Sequence, residues 1–112
     1  MENKIVEDFF KKENIYEEDF FKYIKNRIYY FPSDTSLDWF GCFPIVDDND
    51  ILVDIKVAVP KIKTEKNILV NLHEIFHAYE LYHELGSKYV EKIEESELSA
   101  KTFEKKYKKI VK

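Results

Sequence analysis

The sequence is short of several features, and each shortage excludes a class of protein. A single cysteine, Cys42, rules out an internal disulfide framework and favours a reducing compartment. No apolar run approaches the length of a membrane-spanning helix, and the first residues contain no apolar core of signal-peptide length. We therefore expect a cytoplasmic protein with no membrane as partner.

The balance of charge argues against a nucleic-acid-binding protein. A formal net charge of −4 over 112 residues gives no reason to expect nucleic acid as a partner. The lysines of residues 101–112 are interleaved with apolar residues, which one solvated helix face explains more simply. With 45% hydrophobic and 36% charged residues, and without linker or repeat, the composition predicts one globular domain over residues 1–112.

The spacing of apolar residues predicts two helices and then two strands. Helical periodicity covers residues 2–13 and about 16–29, and Asn14 could cap the second helix. The aromatic residues on their apolar faces, Phe9, Phe10, Phe20 and Tyr23, are expected in the core. Residues 37–46 are aromatic and β-branched, and within residues 51–59 the stretch from Val53 to Val59 alternates between β-branched and other residues. These two segments are expected to form an antiparallel strand hairpin.

The third predicted helix is apolar on nearly every face, which is typical of a buried helix. Thr64 can cap its start, and Gly86 is a natural stop. A last helix is expected over about residues 88–111, which completes a small α+β domain. Several polar residues of the third helix share one line and mark the side open to a cleft: His73, His77, Glu80 and Glu84.

The segment His73-Glu74-Ile75-Phe76-His77 has the pattern H-E-x-x-H. Histidines four residues apart lie one helical turn from each other, so both rings can hold one zinc ion. The glutamate beside them is placed to act as a base towards a water on that ion. An accidental pair of packed or surface histidines is the alternative, but the pattern is rare by chance and favours a catalytic metal.

Catalytic zinc usually takes three protein ligands, and two residues compete for the third place. His83 would complete a spacing that resembles the metzincin pattern, but Glu80 stands where that pattern has glycine, and a continuous helix would point His83 away. Glu97 lies within the apolar stripe of the last helix, where a carboxylate is costly unless paired or metal-bound. A salt bridge from Glu97 to a lysine is the alternative. The predicted ligands are His73, His77 and Glu97.

These residues resemble the gluzincins, zinc peptidases with H-E-x-x-H on one helix and a glutamate ligand on a following helix. The matching residues are His73, Glu74, His77 and Glu97. The order of elements resembles the minigluzincins, which are selecase-like minimal soluble metallopeptidases. The chain departs from the thermolysin pattern at Lys101, where an aspartate would support the first histidine; Glu104 is a candidate substitute.

The resemblance implies a zincin-like domain that holds one Zn²⁺ per chain and hydrolyses peptide bonds, with Glu74 as general base. It implies a peptide or unfolded protein as substrate, bound along an edge strand. Residues 51–59 are our candidate for that strand. Some members block their own cleft with a terminal segment, which leaves latency and self-association into a homo-oligomer open for this chain.

Two functions other than catalysis by zinc are also compatible with the motif. The first is a non-catalytic or self-blocked metal-binding module. The second is a di-iron site, because Glu74 and Glu80 each begin a Glu-x-x-His unit. Di-iron bundles take such units from different helices, and the predicted strand pair does not fit them.

Overall fold

Four helices and a three-stranded mixed sheet make up the part of the chain that is described. The computed structural model describes residues 4–111, and for residues 109–111 it describes the backbone alone. Residues 2 and 3, at the start of the predicted first helix, therefore lie outside the described residues. A single 3₁₀ turn, Leu37–Trp39, precedes the second strand. The α+β class is confirmed. The elements are α1 (Lys4–Lys12), α2 (Glu18–Ile24), β1 (Ile28–Phe31), β2 (Gly41–Val46), β3 (Leu52–Pro60), α3 (Glu65–Tyr82) and α4 (Ile93–Val111).

The sheet has the strand order β1-β3-β2. β2 runs antiparallel to β3, so the predicted strand pair is confirmed. The expectation that residues 51–59 form an edge strand is wrong, because β3 also pairs in parallel with β1 and is therefore central. β2 is an edge strand, which suits Pro44, since proline has no N–H to donate to a neighbouring strand.

The predicted second helix is too long at its C-terminal end. α2 ends at Ile24, and residues 28–31, which fit a helical stripe, are also β-branched and aromatic and pair with β3 instead. Arg27 holds this junction, because its Nε donates to Asp54 Oδ1 over 2.6 Å and its carbonyl accepts from Val57 N over 2.9 Å. The hydrogen bond from Arg27 keeps the pKa of Asp54 well below its usual range.

The predicted cap of α3 is confirmed, whereas that of α2 is wrong. Thr64 Oγ1 accepts from Asn67 N over 3.2 Å, and Asn67 Oδ1 accepts from Thr64 N over 3.1 Å. Asn14 has φ 62° and closes α1 in the left-handed conformation, while Glu17 occupies the N-cap of α2. Gly86 has φ 85°, but α3 itself ends earlier, at Tyr82.

α3 packs between β3 and α4, and aromatic side chains fill the core around it. Asn71 is fully buried, and its Nδ2 donates to the carbonyl of Pro60 over 2.9 Å, which ties α3 to the end of β3. No helix within residues 4–111 is both long and apolar enough to cross a membrane. The predicted core position is confirmed for Phe9, Phe10 and Phe20, and Tyr23 packs against this core while only partly buried.

The last helix begins later than predicted. α4 starts at Ile93, and Val90 and Ile93, which the pattern places on its buried face, are 61% and 60% exposed. The reason is that Leu52 N donates to the carbonyl of Ser87 over 2.9 Å, which holds the preceding segment against the end of the sheet. Ala100 does lie on the buried face, as expected.

Candidate metal centre

α3 and α4 bring three potential metal ligands together. His77 Nε2 lies 2.8 Å from Glu97 Oε1, His73 Nε2 lies 3.2 Å from the same oxygen, and the two ring nitrogens are 3.3 Å apart. One ligand atom from each residue falls within 4.8 Å of the others. This group could hold a metal ion.

The separations suit a tetrahedral zinc ion. With ligand distances of roughly 2.0–2.1 Å, two atoms bound to one tetrahedral ion lie about 3.3 Å apart. The three observed separations, 2.8, 3.2 and 3.3 Å, are close to that value. Two imidazole nitrogens and one carboxylate oxygen are also the donor types that catalytic zinc takes.

Glu104 fixes the orientation of the first histidine. His73 Nδ1 lies 2.8 Å from Glu104 Oε1, so a neutral ring donates there and leaves the lone pair of Nε2 facing Glu97. Two acceptors then face each other, an arrangement that a cation stabilises. Glu104 follows Glu97 by two helical turns, which brings it to the same side of α4. The predicted substitute for the missing aspartate at Lys101 therefore lies in contact with the ring it was expected to support.

Glu97 lies at the border of the cleft and not inside the core. Its side chain is 43% exposed, whereas those of His73 and His77 are 14% and 13% exposed. The predicted burial of this carboxylate is therefore wrong, although its predicted side of α4 is right. Its ionic partners are the two histidines, whose hydrogen bonds outweigh the effect of burial and lower the pKa of Glu97.

The two histidines have opposite pKa shifts. Burial lowers the pKa of His73, but its hydrogen bonds to Glu104 and Glu97 outweigh burial and raise it. Burial lowers the pKa of His77, and the nearby His73 adds to that shift. The two rings therefore resist ionising together: His77 is the one inclined to stay neutral, and a metal ion would have to displace a proton from His73.

Glu74 is the most perturbed carboxyl group of the site. Burial is the main cause, and the neighbouring Glu97 and Glu104 add to it against the opposing effect of His73; together they raise the pKa of Glu74 to about 7. A divalent cation at the histidines would oppose this shift by favouring the ionised form. A carboxyl group with a strongly perturbed pKa in a cleft is typical of residues that exchange protons in a reaction.

His83 is not part of this group. It is the C-cap residue of α3, and its Nε2 lies 2.6 Å from Glu17 Oε2. The structure therefore pairs His83 with the N-cap residue of α2, in agreement with the prediction that it points away from the other two histidines.

The cleft beside Glu74 has walls that the sequence pattern did not reveal. Gly41 and Cys42 from β2 and Tyr89 from the segment before α4 line it together with Glu74. Burial, and secondarily Glu74, raises the pKa of the Cys42 thiol, so this side chain acts as a neutral wall. The alternation of side chains along β2 was the sequence signal that could have placed Cys42 in the cleft. No pattern in the residues around Tyr89 predicts its position there.

Comparison of the chain with family models, with curated proteins and with solved structures gives no match. The chemistry of this site therefore has to support the function by itself. Three convergent ligand atoms and the carboxylate of Glu74, which lies outside that group, are the features on which it depends.

Replacing Glu104 by alanine is expected to weaken zinc binding by about 10–100-fold, because His73 loses the partner that holds its ring. Glu104→Gln should lose less, since its amide oxygen can still accept from Nδ1. Competition against a chromophoric zinc chelator measures both affinities. Glu95→Ala, an exposed substitution in the first turn of α4, is the matched control. Equal affinity in wild type and Glu104→Ala would remove Glu104 as a supporting residue.

Proposed function

We propose that this chain is a zinc-dependent endopeptidase with a gluzincin-type site. The observation that carries the proposal is the meeting of His73, His77 and Glu97 at one point, with Glu74 lining the same cleft outside the ligand group. A site that only stores a metal has no need of a further carboxylate beside an open cleft. A hydrolase needs one as a base.

The proposed mechanism divides the work between the ligands and Glu74. His73, His77 and Glu97 would hold the zinc ion, which when bound lowers the pKa of water and polarises the scissile carbonyl. The Glu74 carboxylate accepts a proton from the attacking water as the new C–O bond forms. It then delivers that proton to the amine nitrogen as the C–N bond breaks.

β2 is the strand along which a substrate would bind. Its residues Gly41, Cys42 and Pro44 line the cleft beside Glu74, and the far edge of β2 has no partner strand in the described sheet. A peptide added to this edge would run past the candidate metal centre with its backbone held by hydrogen bonds. This role passes to β2 from residues 51–59, because β3 is paired on both sides.

Metal removal tests the proposal directly. We expect the zinc-loaded protein to hydrolyse unfolded casein, to lose that activity with a chelator, and to regain it when zinc is restored. Assays over a range of protein concentrations also test self-association, since dilution relieves inhibition between chains but not a block within one chain. Stoichiometric zinc without hydrolysis at any concentration would instead favour the non-catalytic metal-binding module.

A further inference from the structure

Two cavities meet at the candidate catalytic glutamate. One, of about 370 Å³, extends past His77 and Glu97, and the other, of about 380 Å³, extends past His73 and Glu104. Both are lined by Glu74, so a peptide crossing the site would occupy one cavity on each side of the bond that is cleaved.

The first cavity, called the acidic arm here, is rich in carboxylates. Beyond Glu74 and the ligand Glu97 it is lined by Glu80, Glu84 and Glu91, against Lys92 as the basic residue among its described lining. Three carboxylates and one ammonium therefore remain after the charges of the metal centre are set aside. Glu80 lies in the last turn of α3, Glu84 lies in the turn that follows the helix, and Glu91 comes from the segment before α4.

Glu80 has one carboxylate oxygen without a partner among the described residues. Its Oε1 is buried and accepts no hydrogen bond from the described residues. Burial, with the neighbouring Glu84 second, raises the pKa of Glu80, which is the direction expected for a carboxyl group without a nearby cation. A buried carboxylate oxygen of this kind is costly unless a donor reaches it.

The second cavity, called the lysine arm here, has the opposite character. Lys66 and Lys108 line it together with the apolar side chains of Leu69 and Val70. Its only carboxylates among the described lining residues are Glu74 and Glu104, of which Glu104 is paired with His73. The cleft thus carries an excess of negative charge on one side of Glu74 and of positive charge on the other.

A second metal ion is a poor explanation for the acidic arm. Within residues 4–111 the one group of three ligands that converges is His73, His77 and Glu97. The carboxylates of the acidic arm are too spread for one small ion. A long organic cation, whose ammonium or guanidinium reaches out on a flexible stem, suits such a cavity better.

We infer that the acidic arm binds a lysine or arginine side chain of the peptide substrate, and that the lysine arm excludes one. A bound peptide is thereby oriented by charge. This inference rests on the proposed function for the statement that the peptide is cleaved, but the binding preference itself can be measured without cleavage.

The test uses fluorescently labelled peptides that differ only by lysine or norleucine at one position, scanned along the chain. Their binding to the zinc-loaded Glu74→Gln variant is followed by anisotropy. We expect one position where lysine binds about tenfold tighter than norleucine, since the charge meets half-buried carboxylates. Added salt should reduce this ratio, because it screens the charge interaction and leaves the apolar contacts of the stem.

Charge-neutral variants assign the preference to the acidic arm. Adding Glu80→Gln and Glu84→Gln to the Glu74→Gln background should reduce the lysine-to-norleucine ratio to about one- to twofold. Adding Glu94→Gln and Glu95→Gln, two exposed positions of α4, is the matched control and should keep the full ratio. If the double variant at Glu80 does not fold, Glu84→Gln alone should still lower the ratio. A ratio near one in the parent variant, or an unchanged ratio after Glu84→Gln, overturns the inference.

Hydrolysis separates this inference from the proposed function. If the Glu74→Gln variant prefers lysine but the wild-type protein cleaves none of the peptides, the proposed function fails and the charge-selective arm stands. If the wild-type protein cleaves lysine and norleucine peptides with equal kcat/KM at every position, the function stands and the selective arm fails.

Discussion

Glu74→Gln is expected to lower kcat for peptide hydrolysis by about 10²–10⁴-fold, the range typical of a lost general base. Glutamine keeps the size and planarity of the side chain, so the cleft should retain its shape. It cannot accept the proton of the attacking water, however, and it cannot return one to the leaving amine. Steady-state kinetics with a fluorogenic peptide measures kcat and KM separately, and KM should change little.

Zinc content is the control that distinguishes loss of the general base from loss of the metal. Glu74 lies outside the convergent ligand group, so the variant should bind zinc with the same stoichiometry as the wild-type protein. Elemental analysis of both proteins checks this. Loss of zinc along with activity would make Glu74 a ligand or a structural residue. Unchanged kcat with zinc bound would exclude it as the base.

The sequence was sufficient for those parts of the site that depend on local geometry. The spacing of His73 and His77 follows from one helical turn, and the cap at Thr64 follows from its own backbone contacts. Glu97 was predicted on the correct side of α4 although the start of that helix was placed too early. The angle between Glu97 and Ala100 about the helix axis depends only on their separation in sequence, and not on where the helix begins.

The remaining parts were determined by contacts between distant segments. Residues 28–31 carry side chains that suit a helix stripe or a strand, and pairing with β3 decides between them. Residues 88–92 fit a helical pattern, yet hydrogen bonds to the region around Leu52 keep them extended or irregular. The two arms of the cleft combine residues from β2, α3 and α4, so no single window of sequence shows their opposite charges.

His77→Ala is expected to remove stoichiometric zinc, with an affinity loss of at least about 10³-fold. Structural zinc sites in small proteins are worth roughly 10–16 kcal/mol in total, so one of three protein ligands is expected to account for several kcal/mol. Glu97→Ala should also weaken binding, but less completely, because its carboxylate is 43% exposed and water can take its place. Isothermal titration with zinc measures the three affinities under the same buffer conditions.

His83→Ala is the matched control, since it removes an imidazole from the same helix without touching the convergent group. His83 lies at the C-cap of α3 and faces Glu17, so zinc affinity should stay at the wild-type value. The opposite pattern, with zinc lost in His83→Ala and kept in Glu97→Ala, would require α3 to unwind and return His83 to the metal. The site would then be a three-histidine centre. The capped, continuous run of α3 from Glu65 to Tyr82 argues against that rearrangement, because the hydrogen bonds of its last turn would have to break.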